Sequence, residues 1–407
     1  MITIKPFQAI FPKKKLGKEI STRQLNSYSE EEIEEVKKTR QNSFLNIIQP
    51  KYHSNQENQK EDRSNKYLKI RELFETALTK DIFTQSKTDS FYIYRQKTPT
   101  KTYIGIIGGA STKDYQKGKI KKHEHTLEKR EKIFTKYLRF CGFNAEPVLL
   151  IHKKSEEINN VIKRNITSIP LHSFTSNDNL HHDLWEVNNP EEIKHIEHSF
   201  SVIDKIYIAD GHHRIASSSL FALEDETKES TQNIMALFMC EENISIFDYN
   251  RVVKNTIGIS EKDFYTKINE RFNISKTSSS ILKPTKKHQF SIYLNKKWSL
   301  IELKNEFINK TSIIAQLDSQ IITDYILSPI LDIHDLKNDN RIDFFNGTKG
   351  LDSLKSKVDS GKFDVAIAMF PISFEEVELI ADKGLSMPPK STWVEPKLRS
   401  GLTIYKF

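Results

Sequence analysis

Two short segments of the 407-residue chain carry chemistry on residue type alone. One is Asp210-Gly211-His212-His213-Arg214, set between the apolar KIYIA and the helical pattern IASSSLFAL. Where a strand runs straight into a helix, the first backbone N–H groups have no intrahelical partner and the helix dipole is positive, so an anion is stabilised there. Gly211 permits the tight turn, Arg214 offers a planar fork of donors for phosphate, and His212 and His213 add donors near neutral pH. Asp210 suits either the orientation of a histidine or the holding of a divalent cation through oxygen.

The other segment is Lys119-Ile120-Lys121-Lys122-His123-Glu124-His125-Thr126, where one carboxylate stands among bases just ahead of a helix. Glu124 is the natural candidate for a general base. Such a group must be ionised and within hydrogen-bond reach of its proton; neighbouring cations lower its pKa and burial raises it. For both segments a plainer reading stays open, a capped helix with a salt bridge in the first case and a solvated basic loop in the second. A metal cluster is also compatible with the H-x-H spacing of His123 and His125, completed by Asp210, His212 and His213. Against it, adjacent histidines diverge at a helix start and Arg214 would repel a cation.

A third segment, MPPKSTWVEPKL, places Lys390, Ser391, Thr392 and Lys397 among prolines that stiffen a loop presenting basic and hydroxyl groups. A purely structural loop is an equal alternative. His181, His182, His195 and His198 lack partner spacing and read as surface or packing residues.

The elements that must position these groups follow from pattern. FYIYR, TYIGIIGGA, VLLIH, KIYIA and NIMALFMC read as strands. Thr126–Cys141 reads as an amphipathic helix with Ile133, Phe134, Tyr137, Leu138 and Cys141 inward, and Asn189-Pro190 opens another with Ile193, Ile196, Phe200 and Ile203 on one face. Ser29 and Glu32 form a capping box. FSIYL and WSLIEL suggest a hairpin, followed by a helix near Ala315–Leu327 and strands RIDFF and DVAIAMF. The resulting division is an amino-terminal segment 1–88 with a polar linker near 51–66, an α/β core 89–257, and an α+β domain 258–407.

Composition narrows the function classes. Hydrophobic residues at 37 % and aromatics at 10 % supply real cores, which excludes wholesale disorder. The longest uncharged apolar runs, Tyr103–Ala110 and Val365–Pro371, are far short of the ~20 residues that cross a bilayer. Only Cys141 and Cys240 are present, so no disulfide framework or four-cysteine zinc site can form, and a reducing compartment fits. The start MITIKPFQAIFPKKK has its charges after the apolar stretch, the reverse of a secretory signal, which leads to a cytoplasmic expectation. The net charge of +8 favours anionic ligands, but its lysines are spread along the chain. A strand, NIMALFMC, follows DGHHR where a helix-turn-helix reader needs consecutive helices, which argues against nucleic acid as partner. P-loop, GxGxxG, kinase catalytic-loop and PCxxC signatures are absent from the sequence.

The segments YIADGHHR, DYQKGKIKKHEHT, RIDFFNGTKGL and MPPKSTWVEPKLRSGL resemble the hallmark segments of the bacterial and archaeal DUF 1015 family over nearly the full chain. That family resembles the free serine kinases of the ParB/sulfiredoxin-like superfamily, in which an HE-x-T segment precedes a helix and a DG-x-HR turn follows a strand. The resemblance implies a ParB/sulfiredoxin-like central domain with an additional C-terminal α+β domain. It implies that Glu124 deprotonates the serine hydroxyl and that Asp210, Gly211, His213 and Arg214 hold nucleotide phosphates, with His212 at the variable position of the turn. The stretch STRQLNSYSEEE departs from the RPYDV-like sequence of the family, and the chain is longer than the free serine kinases.

The expected function is therefore phosphoryl transfer between ADP or ATP and the hydroxyl of free L-serine, giving O-phosphoserine. Glu124, Asp210 and His213 are the expected catalytic residues, and Gly211, His212, His213 and Arg214 the phosphate site. His123, His125, Thr126, Lys390, Ser391 and Lys397 are expected to contact substrate, and Asp210 to hold Mg²⁺. The alternatives are phosphoserine hydrolysis on the same site and a nucleotide-switched DNA-associated protein. A homo-oligomer is compatible with the sequence.

Overall fold

The computed structural model describes residues 1–50, 59–254 and 258–407, without the side chains of 59–63. Two compact units result, one formed by Met1–Ile244 with Pro396–Phe407 and the other by Ser245–Glu395. Each has its own sheet.

In the first unit the elements used below are β1 (Ile4–Lys5), α1 (Glu30–Thr39), α2 (Gln59–Thr79), β2 (Phe91–Lys97), β3 (Thr102–Ser111), β4 (Ile120–Lys121), α3 (Glu128–Cys141) and β5 (Val148–His152). They continue with α4 (Glu156–Asn165), β6 (His172–Thr175), β7 (His181–Val187), α5 (Pro190–Ser201), β8 (Ile206–Asp210), α6 (His212–Ala222) and β9 (Asn233–Cys240). The strands form a nine-stranded sheet in the order β4-β8-β5-β9-β3-β2-β7-β6, with β1 also pairing β3. β4 with β8 and β5 with β9 run parallel, and the remaining pairs are antiparallel. Central strands such as β5 and β9 are apolar and buried almost throughout because the sheet is covered on both faces. Ile158 and Ile162 of α4 and Ile196 and Phe200 of α5 pack against Val148, Leu150, Ile208, Ala236 and Phe238 in one core.

Several local signals hold. Asn189 caps α5 with Pro190 at its first turn, and Ser29 and Glu32 form both halves of the box at α1. In α3, however, Phe134 is 40 % exposed, and the buried positions are Thr135, Leu138 and Cys141. Thr135 Oγ1 donates to the Ser217 carbonyl of α6 at 3.2 Å, which sets the rotation of α3 and turns Phe134 away.

The division of the chain differs from the one expected. Residues 1–88 are not a separate segment: Ile4 pairs with Ala110, and Ile10, Ile20, Phe44, Ile70, Phe74 and Phe83 share a core with Cys141, Phe143 and Ile404. Of the polar stretch 51–66, residues 51–58 lie outside the described residues, and Gln59 onward belongs to α2 rather than to a linker. The boundary set at 257/258 falls at 244/245, and residues 396–407 belong to the first unit because Tyr405–Lys406 pairs with Phe143–Asn144 and Ile404 bridges to Ile10.

The second unit contains β10 (Tyr249–Val253), α7 (Glu261–Arg271), β11 (Phe272–Ser278), β12 (Gln289–Leu294), β13 (Lys297–Leu303), β14 (Ile342–Asn346) and β15 (Val365–Met369). These strands form a six-stranded antiparallel sheet, β11-β13-β12-β15-β10-β14, with the expected hairpin between β12 and β13. Phe264, Ile268, Ile322, Ile326 and Leu327 cover one face of it. The fold class is thus mixed α/β with an α+β second unit.

Candidate functional site

Both chemistry-bearing segments leave the sheet at the same edge. β4 and β8 are parallel neighbours, with Ile120 opposite Ile206 and Lys121 opposite Tyr207, so their carboxyl ends point the same way. His123 and Glu124 follow β4, and the Asp210–Arg214 turn follows β8. Ligands of α/β sheets sit beyond such carboxyl ends.

Register between β8 and β5 shifts between Ile208 and Asp210, which breaks the ladder just before the turn. Gly211 then adopts φ +95° and serves as the cap of α6, a conformation that a side chain would strain. A Cβ there would lie 3.0 Å from Arg214 Nε, so glycine also makes room for the guanidinium. That guanidinium donates from Nη2 to Asp210 Oδ2 at 2.6 Å and from Nη1 to the Pro147 carbonyl at 2.8 Å and Glu146 Oε2 at 3.2 Å. Arg214 is a clamp within the turn rather than a fork held open for a ligand.

Asp210 is equally engaged. Its Oδ1 accepts from Lys397 Nζ at 3.1 Å, and its Oδ2 also accepts from Gln24 Nε2 at 3.1 Å. Burial would raise the Asp210 carboxyl, but Lys397 and Arg214 outweigh it and hold the group well below the usual carboxylate range. A divalent cation does not fit here, because both oxygens already face cations; the expected Mg²⁺ ligand is therefore corrected to an ion-paired anchor. No cluster of three or more His, Cys, Asp or Glu suited to a metal occurs among the described residues.

The histidines are packed, not solvated. His212 is 6 % and His123 3 % exposed, and their rings meet edge-on with centroids 4.6 Å apart. Burial pushes His123 down to about 4 and, helped by His123 itself, holds His212 well below its ordinary value. His213 is lowered too, by burial and then by Arg130. Both rings of the pair are neutral at pH 7, so each carries one N–H and one lone pair. His123 Nδ1, His212 Nε2 and His213 Nδ1 are buried with no hydrogen-bond partner among the described residues. Such atoms are costly unless something bonds to them.

Glu124 Oε2 stands 3.7 Å from His212 Nδ1, and its side chain is 54 % exposed. The base candidate therefore borders the helix start while remaining open to solvent. Thr126 bonds to Glu131, and His125 is exposed. Lys397 enters the site as partner of Asp210. Lys390 and Ser391 belong to the second unit, where Lys390 Nζ lies 5.4 Å from the Tyr249 ring centre and Ser391 Oγ is 2.9 Å from Ser319 Oγ.

Two participants escaped the sequence reading. Gln24 comes from the stretch that departs from the family pattern, and Thr22 exchanges backbone hydrogen bonds with Ser400, which brings that stretch to Lys397. Glu146 precedes β5 as an isolated acid, with no signal of its own. His182 is a packing residue as expected, fully buried and bonded to Tyr94 and Ser176. No helix among the described residues is long and apolar enough to cross a membrane.

The chain matches the family described as protein of unknown function (DUF1015) over residues 4–320. No curated protein matches significantly. Similar solved structures include SbnI with a C-terminal truncation from Staphylococcus aureus, at 12 % identity over 71 % of this chain and 82 % of that one, TM-score 0.36. A free serine kinase mutant in complex with ADP is similar at 13 % identity over 72 % and 90 %, TM-score 0.37. A conserved hypothetical protein from Pyrococcus furiosus is similar at 12 % identity over 70 % and 92 %, TM-score 0.33.

Proposed function

The chain belongs to the DUF1015 family, and from the meeting of Glu124 with the turn that opens α6 we propose that it transfers a phosphoryl group from ADP or ATP to the hydroxyl of free L-serine. The observation that carries this reading is the 3.7 Å approach of Glu124 Oε2 to His212 Nδ1, which sets a carboxylate beside a helix start furnished with neutral histidines. We read the strand-turn-helix core as ParB/sulfiredoxin-like, with Glu124 and the turn in the roles that the sequence resemblance implies.

Phosphoryl transfer asks mainly for positioning and charge stabilisation. In this reading the first-turn N–H groups of α6, the helix that His212 and His213 open, bind the transferring phosphate. Asp210 ties Lys397 and Arg214 together and so fixes the shape of the turn that presents those N–H groups. Glu124 accepts the serine hydroxyl proton as the serine oxygen bonds to phosphorus. The bond from phosphorus to the nucleotide oxygen breaks, and AMP or ADP leaves with its electron pair.

The test is purified protein with L-serine and ADP or ATP, with and without Mg²⁺, followed by phosphorus NMR. O-phosphoserine is the expected product. Its absence with both donors rejects the proposal, and loss of added phosphoserine without nucleotide would establish hydrolysis instead.

A further inference from the structure

The second unit holds a cavity among residues that phosphoryl transfer leaves unused. Asp248, Asp318, Ser319, Lys287, Glu376 and Ser391 contribute to its lining, and its free volume of about 20 Å³ is room for one water-sized group. Ser391, singled out in the sequence as a potential substrate contact, therefore faces a pocket within its own unit.

Asp318 is 9 % exposed. Its Oδ1 accepts from the His288 backbone N–H at 2.9 Å, while Oδ2 is buried with no hydrogen-bond partner among the described residues. Burial lifts this carboxyl to about 7, against the opposing effects of the His288 bond and the Lys287 charge, and lifts Asp248 as well. Lys287 is the one cation in the lining, and it is paired with Glu376. The lining thus holds three carboxyls and one ammonium, which also acts on Asp318.

Once Asp318 is ionised its oxygens only accept hydrogen bonds, so what fills this space in that state must donate. A positive charge stabilises that ionised form against burial, and the volume selects a head no larger than water. Metal chelation is poorly served, since no three ligating side chains cluster among the described residues. The Ser319 and Ser391 hydroxyls, 2.9 Å apart, are further acceptors for a group with several N–H bonds.

We propose that this cavity binds the primary ammonium group of a small amino compound, with Asp318 Oδ2 as its principal acceptor and Ser319 and Ser391 completing the contact. The inference is independent of the phosphoryl-transfer reading.

Titration of the full chain with methylammonium chloride, followed by thermal unfolding and calorimetry, tests it. Sodium chloride and tetramethylammonium chloride at equal ionic strength serve as controls, the latter being too bulky and without an N–H. Expected is a saturable rise in unfolding temperature with methylammonium alone, its affinity reduced at least tenfold in Asp318→Asn. Asparagine keeps an oxygen for the His288 N–H, so retention of the fold is expected. Should that variant fail to fold, Ser391→Ala decides, with a severalfold weaker affinity expected. No saturable response, an equal response to tetramethylammonium, or unchanged affinity in the decisive variant would overturn the proposal.

Discussion

Lys397 Nζ lies 3.1 Å from Asp210 Oδ1 although 187 positions separate the two residues. On the other oxygen Arg214 Nη2 lies at 2.6 Å, so one carboxylate holds a cation from the helix that follows it and another from the carboxy-terminal segment. Gln24, from near the amino terminus, adds the third contact. The turn is therefore assembled by both ends of the chain, which meet where Thr22 and Ser400 exchange backbone hydrogen bonds of 3.1 and 3.0 Å.

Lys397→Ala leaves Asp210 with one cation. The pair is partly exposed, with side-chain values of 28 % and 23 %, so the expected loss is about 1–2 kcal/mol, below that of a fully buried pair. Urea unfolding measures it, and Lys397→Arg should recover most of the loss. A wild-type midpoint in Lys397→Ala would show that the contact contributes nothing.

Glu124→Gln preserves size and removes the base. On the proposed mechanism the turnover falls by about 10²–10⁴-fold while nucleotide affinity stays nearly constant. Steady-state kinetics with parallel calorimetric binding separates the two, and undiminished turnover would remove Glu124 from the mechanism.

Gly211→Ala places a Cβ 3.0 Å from Arg214 Nε at φ +95°. A loss of about 1–2 kcal/mol is expected from the backbone alone. Because the guanidinium must also shift, nucleotide affinity should fall with stability. A variant that loses stability but binds nucleotide as tightly as wild type would separate the Arg214 clamp from the phosphate site.

Acid should destabilise the fold in a defined window. His123 and His172 are pushed down to about 4 from an ordinary 6.5, each chiefly by burial, and His212 is held well below that value. As pH drops through 6.5 the unfolded chain takes up protons that the folded histidines refuse, so stability declines from there toward pH 4. Asp210, held ionised below the usual 3.8, adds a further loss as the pH falls past that value. Urea midpoints at neutral pH and at successively lower values within the window check the sign; a flat profile would contradict neutral, buried histidines.

Much of the local architecture was legible. β8, the turn and α6 follow from an apolar run, a glycine and a helical pattern that abut without a spacer. The Ser29–Glu32 box, the Asn189-Pro190 start and the β12–β13 hairpin were likewise readable, because each is decided by neighbours a few residues apart. Phe134 was misjudged since apolar periodicity marks a broad face of α3, whereas its contact with α6 at Thr135 and Ser217 selects the rotation.

By itself, the order of amino acids determined many of the strands and helices, an acid just ahead of a helix, and a phosphate-friendly turn at the end of a strand. Tertiary structure alone decided that β4 lies parallel beside β8, bringing Glu124 to His212, and that Gln24, Glu146 and Lys397 occupy Asp210 and Arg214. The reason is physical: strand and helix propensities act over a few residues, while strand order and ion pairing join groups far apart in the chain, whose encounter is set by how whole layers bury their apolar faces.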